Sequence, residues 1–328
     1  MSANSFGEIF QITSFGESHG QAMGVIIEGC PAGVSFDTKI LEQALERRRP
    51  GRSSVTSARN EADEPEILSG VFEGKTLGTP IAVIVRNQDA RPQDYDRIKT
   101  EGRRGHADDV WRDKFTHVDH RGGGRSSGRE TLARVIGGAF AEMMLRELAP
   151  KLSVRAIPRK IGEMEVGEEG LNDPNWQKVE SMLAQLRENG DSVGGIVEVQ
   201  VMHPPRGLGQ PVFHKLKADL TAAMMSIGAV TGVELGGGFA LAQQRGLHVH
   251  VASDESVYGG VRGGISTGEA IRFRVAFKPT SSILDVAKRG RHDPCIVLRA
   301  LPVLEAMAYL VLADHILWRK LDEISHQP

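Results

Sequence analysis

The sequence predicts a pseudo-symmetric α/β fold built as one domain over residues 1–328. Three observations point there. Short β-branched runs alternate with glycine turns and with separate amphipathic helices along the whole chain. Two segments look alike: strand, Pro-Ala-Gly turn and a helix entered at Phe36 (Ile26 to Leu45), then strand, Gly-Leu-Gly turn and a helix entered at Phe213 (Ile196 to Ala222), the two phenylalanines 177 residues apart. No linker-like or low-complexity stretch divides the 328 residues, and a chain of that length can bury a large core.

The elements follow in order. From Phe6 to Val34 short strands and glycine turns alternate, with Met23 to Glu28 (MGVIIE) the clearest strand. Asp37 to Arg49 reads as a helix with Ile40, Leu41, Ala44 and Leu45 on one face, stopped by Pro50-Gly51. Ile81 to Val85 is a β-branched strand, and Asp89 to Phe115, polar and weakly periodic, reads as a long functional loop. His120 to Thr131 (HRGGGRSSGRET) opens a helix running to Leu148. Ser127 and Glu130 form a capping-box pattern there, and Leu132, Val135, Ile136, Ala139, Phe140 and Met143 recur at helical spacing. Gly194 to Met202 alternates like a half-buried strand, Val212 to Met225 is helical, and Gly246 to Phe277 returns to strands and glycine turns. A last helix starts near Asp293-Pro294 and runs to about Trp318, with Pro302 as a kink point. RSSGRET-helix and RHDPC-helix each set an arginine-bearing loop before a long helix, which supports the duplication.

Composition narrows the function. The chain is 40% hydrophobic and 25% charged with net charge −2, a balance that argues against general nucleic-acid or membrane-surface binding. Its arginines are nevertheless clustered, at Arg47 to Arg49 and Arg52, Arg103 and Arg104, Arg121, Arg125 and Arg129, and Arg289 and Arg291, which suits a small anion better than a polymer. Cys30 and Cys295 show no CxxC spacing and imply neither a disulfide framework nor a zinc site. The N-terminus has no charged-then-apolar signal pattern and no apolar run reaches membrane-spanning length, so the expectation is a soluble cytoplasmic protein.

The glycine-arginine run at His120 to Thr131 is the strongest local signal. Consecutive glycines let the backbone visit positive φ and approach a ligand, and a helix N-terminus favours an anion before any arginine acts. The plain alternative is a solvated turn capping a buried helix. GESHG (Gly16 to Gly20) contains G-x-S-x-G, the pattern of a nucleophile elbow with Ser18 attacking an acyl group. The elbow needs a helix after the serine, and the strand-like QAMGVIIEG follows instead. The other reading presents His19 as a proton carrier. His106 in RRGHAD sits among cations that an arriving anion would engage, or lies in a solvated basic loop. Arg47 to Ser54 (RRRPGRSS) complements a helix C-terminus or binds an anion; KPTSSI (Lys278 to Ile283) offers a lysine and three hydroxyls; Asp293 caps a helix or acts chemically. His248 and His250 share a strand face but lack a partner cluster for zinc, and no Rossmann glycine pattern lies between a strand and a helix.

Taken together, GESHG, RRRPG (Arg47 to Gly51), ILSGVFEG (Ile67 to Gly74), GTPIAVIVRNQD (Gly78 to Asp89), GHAD (Gly105 to Asp108), RGGGRSSGRET, GLGQPVF (Gly207 to Phe213), AMMSIGAVTGVELGGGF (Ala223 to Phe239), GGISTG (Gly263 to Gly268), KPTSSI and RHDPC resemble the chorismate synthase family, in family order over nearly the whole chain. The resemblance implies helices sandwiched between antiparallel sheets (α+β) with internal pseudo-two-fold duplication, and typically a homotetramer. It also implies a lyase that forms chorismate from 5-enolpyruvylshikimate 3-phosphate by 1,4-elimination of phosphate. Reduced FMN is required although the reaction has no net redox change, and NADPH enters only indirectly, for flavin reduction. Residue by residue, it makes His106 the proton donor to the reduced flavin and His19 the residue that assists phosphate departure. Asp293 helps a flavin nitrogen take the substrate proton. Ser18, Arg48, Arg49, Arg103, Arg129 and Arg291 would hold the substrate. Arg125, Ser126, Ser127, Ala229, Gly263, Lys278, Pro279, Thr280, Ser281 and Ser282, with Arg291 again, would contact FMN. A trianionic substrate beside an electron-rich flavin calls for such fixed positive donors. This chain departs from many members at Ser54, Arg104 and Gly228 and carries DVWRDKFTHVDH after GHAD. It is also shorter between Leu241 and Tyr258 and between Ile283 and Arg291.

Two further readings compete. A non-catalytic anion-binding or RNA-contacting relative of the same fold would lack His19, His106 or Asp293 or show interleaved aromatics on a basic face; all three residues are present and aromatics are only 5%. The serine hydrolase is opposed by the strand after Ser18.

Overall fold

The computed structural model describes residues 3–49, 63–87, 105–119, 121–252, 254–284 and 293–322. Two five-stranded antiparallel sheets enclose a double layer of helices. The first sheet holds β1 (Ser5–Phe6), β2 (Gln11–Gly16), β3 (Ala22–Glu28), β5 (Pro65–Ser69) and β8 (Ile81–Arg86) in the order β1-β2-β3-β8-β5. A three-stranded sheet, β4 (Ala32–Ser35), β6 (Val71–Phe72) and β7 (Lys75–Leu77), flanks it in the order β4-β7-β6. The second large sheet holds β9 (Ser153–Ile161), β10 (Met164–Glu165), β11 (Gly195–Met202), β12 (Val230–Leu235) and β15 (Ile271–Phe277) in the order β10-β9-β11-β15-β12. A hairpin of β13 (Val261–Arg262) and β14 (Ile265–Ser266) stands apart from it.

Alternation explains the strands. Val197, Val199 and Val201 on β11 face Val275, Phe273 and Ile271 on β15, and all six are buried while the intervening residues face outward. The helices are α1 (Thr38–Arg48), α2 (Asp108–Phe115), α3 (Thr131–Leu148), α4 (Trp176–Asn189), α5 (Leu216–Met225) and α6 (Val297–Asp322). Asp37 caps α1, its side chain accepting from the Lys39 N–H at 2.9 Å. Helix α3 packs on β2 and β3, α6 on β9 and β11, and α3 and α6 pack along each other in the middle.

That central crossing is unusually close because α3 carries Gly137 and Gly138. A Cβ on Gly138 would lie 2.4 Å from the Cβ of Ala306 on α6, and one on Gly137 would lie 2.7 Å from Cγ2 of Ile12 on β2. The α3 positions picked out by periodicity, Leu132, Val135, Ile136, Ala139, Phe140 and Met143, are all buried. Helix α6 is apolar on every side, the pattern of a core helix. By length and composition it could cross a membrane, with mean hydropathy 1.5, which corrects the expectation that no run reaches that length; 89% of its most apolar stretch is buried inside the molecule. Its buried acids tie the halves together. Glu305 takes both terminal nitrogens of Arg47 at 2.6 and 2.9 Å and the Ala156 N–H of β9 at 2.9 Å. Asp314 accepts from the N–H groups of Glu8, Ile9 and Phe10 at 2.9, 2.6 and 2.9 Å.

The same order of elements occurs twice. Two strands, a helix, two strands and a long helix run as β2, β3, α1, β5, β8, α3 and again as β9, β11, α5, β12, β15, α6, with matching sheet orders β2-β3-β8-β5 and β9-β11-β15-β12. The paired phenylalanines differ, however. Phe36 stacks on Phe140 with ring centroids 5.6 Å apart, whereas Phe213 is 88% exposed and lies before α5, which begins at Leu216 rather than Val212.

Several expectations need correction. Part of the supposed long loop is α2, whose Asp108 and Asp109 open the first turn, whose Arg112 and Lys114 close the last, and whose Trp111 and Phe115 touch one turn apart. Its few apolar residues hid the period, and residues 88–104 lie outside the described residues. Residues 238–243, 248–252 and 255–258 form short helical turns before the strands resume, so His248 and His250 share no strand face. The capping box is half formed: Ser127 accepts from the Arg129 N–H, while Glu130 pairs with Arg134. Asp293 lies ahead of α6, which starts at Val297.

Two measurements follow. Gly138→Ala should cost about 1–3 kcal/mol by overpacking the α3–α6 crossing, whereas Gly228→Ala, where a Cβ meets open space, should change stability by no more than about 1 kcal/mol; denaturant unfolding compares them, and equal effects would contradict the crossing. Burial pushes the thiols of Cys30 and Cys295 up to about 11 and about 12. A thiol reagent at pH 8 should therefore leave both unmodified in the native protein and label both after denaturation.

Candidate functional site

The sequence-predicted residues fall into two hydrogen-bonded groups. The first gathers at one end of the first sheet, where the loop joining β2 to β3 meets the C-terminus of α1 and the N-terminus of α3. Ser18 and His19 in that loop are 1% and 5% exposed and share a hydrogen bond, Oγ to Nδ1, of 3.1 Å. No helix follows Ser18; the chain enters β3 at Ala22, so the nucleophile-elbow geometry is absent.

The three arginines ending α1 have three different surroundings. Arg47 is taken up by Glu305. Arg48 is fully buried, its Nε donating to Thr131 Oγ1 at 3.1 Å and a terminal nitrogen to Asp63 Oδ2 at 2.9 Å. Arg49 is half-buried, and its Nε is buried without a hydrogen-bond partner among the described residues. Arg129, also buried, gives one terminal nitrogen to Asp63 Oδ1 at 3.0 Å and its Nε to Asn87 Oδ1 at 2.8 Å. Asn87 then donates to the Glu17 and Gly20 carbonyls at 3.1 and 2.9 Å, holding the loop that carries His19.

The run before α3 behaves as its composition implies. Gly123 and Gly124 have φ of 83° and 51°, and a Cβ on Gly124 would lie 2.7 Å from the Asp119 carbonyl. Arg125 is not left facing a ligand; its guanidinium donates to the Gly16 carbonyl at 3.1 Å and to Ser14 Oγ at 2.6 Å, bracing the end of β2. Ser126 donates to the Gly123 carbonyl at 2.7 Å, and Ser127 caps Arg129.

The second group lies at the edge of the second sheet. Lys278 follows β15, and its Nζ donates to the Gly105 carbonyl at 2.8 Å, which sets the GHAD loop against the KPTSS turn. His106, next in that loop, pairs through Nδ1 with Asp108 Oδ1 at 2.7 Å, and the Asp108 side chain is 5% exposed. The Lys278 N–H donates to the Ala229 carbonyl at 2.9 Å, and Ala229 holds a φ of 71°, strained for a residue with a side chain. Thr280 Oγ1 donates to the Asp293 carbonyl at 2.9 Å, and Asp293 accepts from the Cys295 N–H at 3.3 Å and from Arg299 at 3.2 Å. Ala229, Lys278, Thr280, Asp293 and the His106 loop are thus brought together, with Pro279, Ser281 and Ser282 in the same turn. Gly263 lies in the turn between β13 and β14, where a Cβ would meet nothing within 4 Å; the next residue, Gly264, is the one packed against Lys215 and Gly209. Arg103 and Arg291 lie outside the described residues, as does Ser54.

Other features carry less. His250 hydrogen-bonds the Tyr258 hydroxyl at 2.8 Å, and no cluster of His, Cys, Asp and Glu suited to a metal ion occurs among the described residues. A cleft lined by Glu142, Leu145, Arg146, Pro150, Leu152, Ser153 and Tyr309 contains none of the predicted residues. Sequence reasoning missed Asp63, Asn87 and Asp108. Asp63 sits in the acidic run EADEPE, which reads as solvated surface, and Asn87 and Asp108 were inside quoted motifs but drew no role.

Comparison with known proteins adds to this geometry. The family model described as chorismate synthase matches residues 10–317. Curated proteins named chorismate synthase include that of Bdellovibrio bacteriovorus, 56% identical over 342 residues and covering 99% of this chain and 100% of the relative. That of Methanosarcina acetivorans is 44% identical over 353 residues, covering 97% of each. A crystal structure of chorismate synthase superposes with a TM-score of 0.76 at 30% identity, covering 96% of this chain and 93% of that one.

Proposed function

The chain belongs to the chorismate synthase family of carbon–oxygen lyases, and from that membership we propose that it converts 5-enolpyruvylshikimate 3-phosphate to chorismate by anti-1,4-elimination of phosphate, with reduced FMN as cofactor. The observation that carries the reading is the joining of Arg48, Arg129 and the His19 loop into one buried constellation beside the N-terminus of α3. Buried guanidinium groups need anions, and the orphaned Nε of Arg49 leaves a donor whose burial costs about 1–3 kcal/mol unless a ligand accepts it. A substrate bearing one phosphate and two carboxylates answers that need.

The second group fits FMN by its donor set. A lysine, three hydroxyls and a strained Ala229 backbone border the His106 loop, which suits phosphate and carbonyl oxygens of a flavin. When bound, reduced FMN supplies electron density for cleavage of the allylic C–O bond and leaves the net redox balance unchanged. The chain's own residues supply the proton handling. His19 gives a proton to the departing phosphate oxygen, and the arginines hold the phosphate while negative charge develops on it. His106, its Nδ1 paired with Asp108, would hold a proton for the reduced cofactor. Asp293 would help a flavin nitrogen take the substrate ring proton.

We read residues 1–328 as one domain acting as a unit, since one apolar core runs through both sheets and the helices between them. We further propose a homotetramer in the cytoplasm. Val212, Phe213, Phe239, Leu247 and Val251 expose apolar surface that a neighbouring subunit would cover, and two buried free thiols suit a reducing compartment. Light scattering should return four times the 35.6 kDa chain mass, and a monomer mass would refute the assembly.

Anaerobic incubation with dithionite-reduced FMN and the enolpyruvyl substrate should release phosphate and chorismate together; absence of both from folded, flavin-loaded protein would overturn the reading. In the same assay His106→Ala and Asp293→Ala should bind FMN yet turn over about 10²–10⁴-fold more slowly, and near-normal turnover in both would remove their assigned roles.

A further inference from the structure

Two chain ends at one edge of the first sheet deliver polar side chains to the arginine cluster. Asp63 lies two residues before β5, with a left-handed φ of 47°, and Asn87 directly follows β8. β5 and β8 are paired with Pro65 facing Val85, and Asp63 and Asn87 both reach Arg129. On the other side of β8, Ala22 faces Arg86, so Asn87 adjoins Gln21 and donates its N–H to the Gln21 carbonyl at 3.0 Å. The sheet end therefore presents a carboxylate and an amide side by side, below α3 and next to the His19 loop.

Each uses its capacity on the site. The Asp63 side chain is 1% exposed and gives one oxygen to Arg48 and the other to Arg129. Without it two buried cations would lose the carboxylate they share. Asn87 accepts from Arg129 and donates twice to the loop carbonyls flanking His19. Arg48, Asp63, Arg129, Asn87 and the loop thus form one hydrogen-bonded chain.

We propose that Asp63 and Asn87 are positioning residues for the elimination: Asp63 sets the spacing and fork orientation of Arg48 and Arg129, and Asn87 locks the His19 loop to Arg129. The inference rests on the reading of those arginines and His19 as substrate-handling groups. Asp63 touches two anion-binding side chains, so its effect belongs to substrate affinity; Asn87 touches an arginine and the loop of a proton donor, so its effect belongs to affinity and turnover together.

The test uses the full chain in the anaerobic assay with reduced FMN, with melting temperature as the check on folding. Asp63→Ala removes a carboxylate shared by two buried cations and risks unfolding, so Asp63→Asn, equal in shape, is the informative change. It should raise KM about tenfold or more while lowering kcat by a smaller factor. Asn87→Ala should raise KM and also lower kcat about tenfold or more, and the loss in kcat should vanish when the change is made in a His19→Ala background, because the loop then positions nothing. A purely structural role would give additive losses in kcat at constant KM, and that pattern overturns the proposal. Arg129→Gln provides the separating control. If it raises KM while Asp63→Asn does not, positioning by Asp63 fails and the arginine assignment stands; if Arg129→Gln leaves KM unchanged, the arginine assignment falls and the inference with it.

Discussion

The α3–α6 crossing governs the architecture. Each helix serves a different large sheet, and their contact is the seam at which the two halves meet. Because Gly138 carries no side chain where α3 meets Ala306, the two helices approach closely and the two sheets are drawn toward a shared helical layer. The acids on α6 then work from that seam in both directions, Glu305 toward α1 and β9 and Asp314 toward the first turn of the chain. Polar groups this deep are tolerated because each finds several donors, which removes the desolvation penalty a lone carboxylate would carry.

Seen from the site, the same seam matters because it places the N-terminus of α3. Arg129 and Thr131 sit in its first turns, and Arg48 reaches Thr131 from the end of α1. Strand ends bring Asp63, Asn87 and the β2–β3 loop to the same spot. The arginine constellation is therefore the product of long-range placement from five separate chain segments. Under the proposed function, a substrate with several negative charges would meet donors already oriented by buried partners, so little reorganisation would oppose binding.

What the sequence could and could not disclose follows from the same distinction. β3, β8 and β11 and helices α1 and α3 were legible because their apolar residues repeat with the period of the element and their ends carry caps or breakers. β9 was invisible because Pro158 interrupts it; the structure absorbs the proline with a register shift opposite Ile196 and Val197. Among Arg47, Arg48 and Arg49, neighbours on α1 point about 100° apart, so Arg47 reaches Glu305 and Arg48 reaches Asp63, while Arg49 lies at the C-cap with its Nε buried, a separation no reading of RRRPG could make. The motifs located His19, Arg48 and Arg129, but the carboxylate that reconciles two of them hides in an acidic run that looks solvated. Only its contacts with Arg48 and Arg129 in the folded structure reveal it. The expected duplication appears in the order of strands and helices, while the phenylalanines that suggested it have taken different surroundings.

The carboxylate of Asp314 has a consequence for biogenesis. It caps three successive amides near the start of the chain from a position 304 residues beyond Phe10. On a ribosome the first sheet emerges before the groups that finish its rim and half of the helical seam. The amides of Glu8, Ile9 and Phe10 wait solvated until α6 has been made, and the entropy of closing so long a loop falls on that later step. An ordering of that kind ties the maturation of the His19 end of the molecule to the arrival of the final helix, so a chain cut short before α6 would release an apolar sheet face with nothing to cover it.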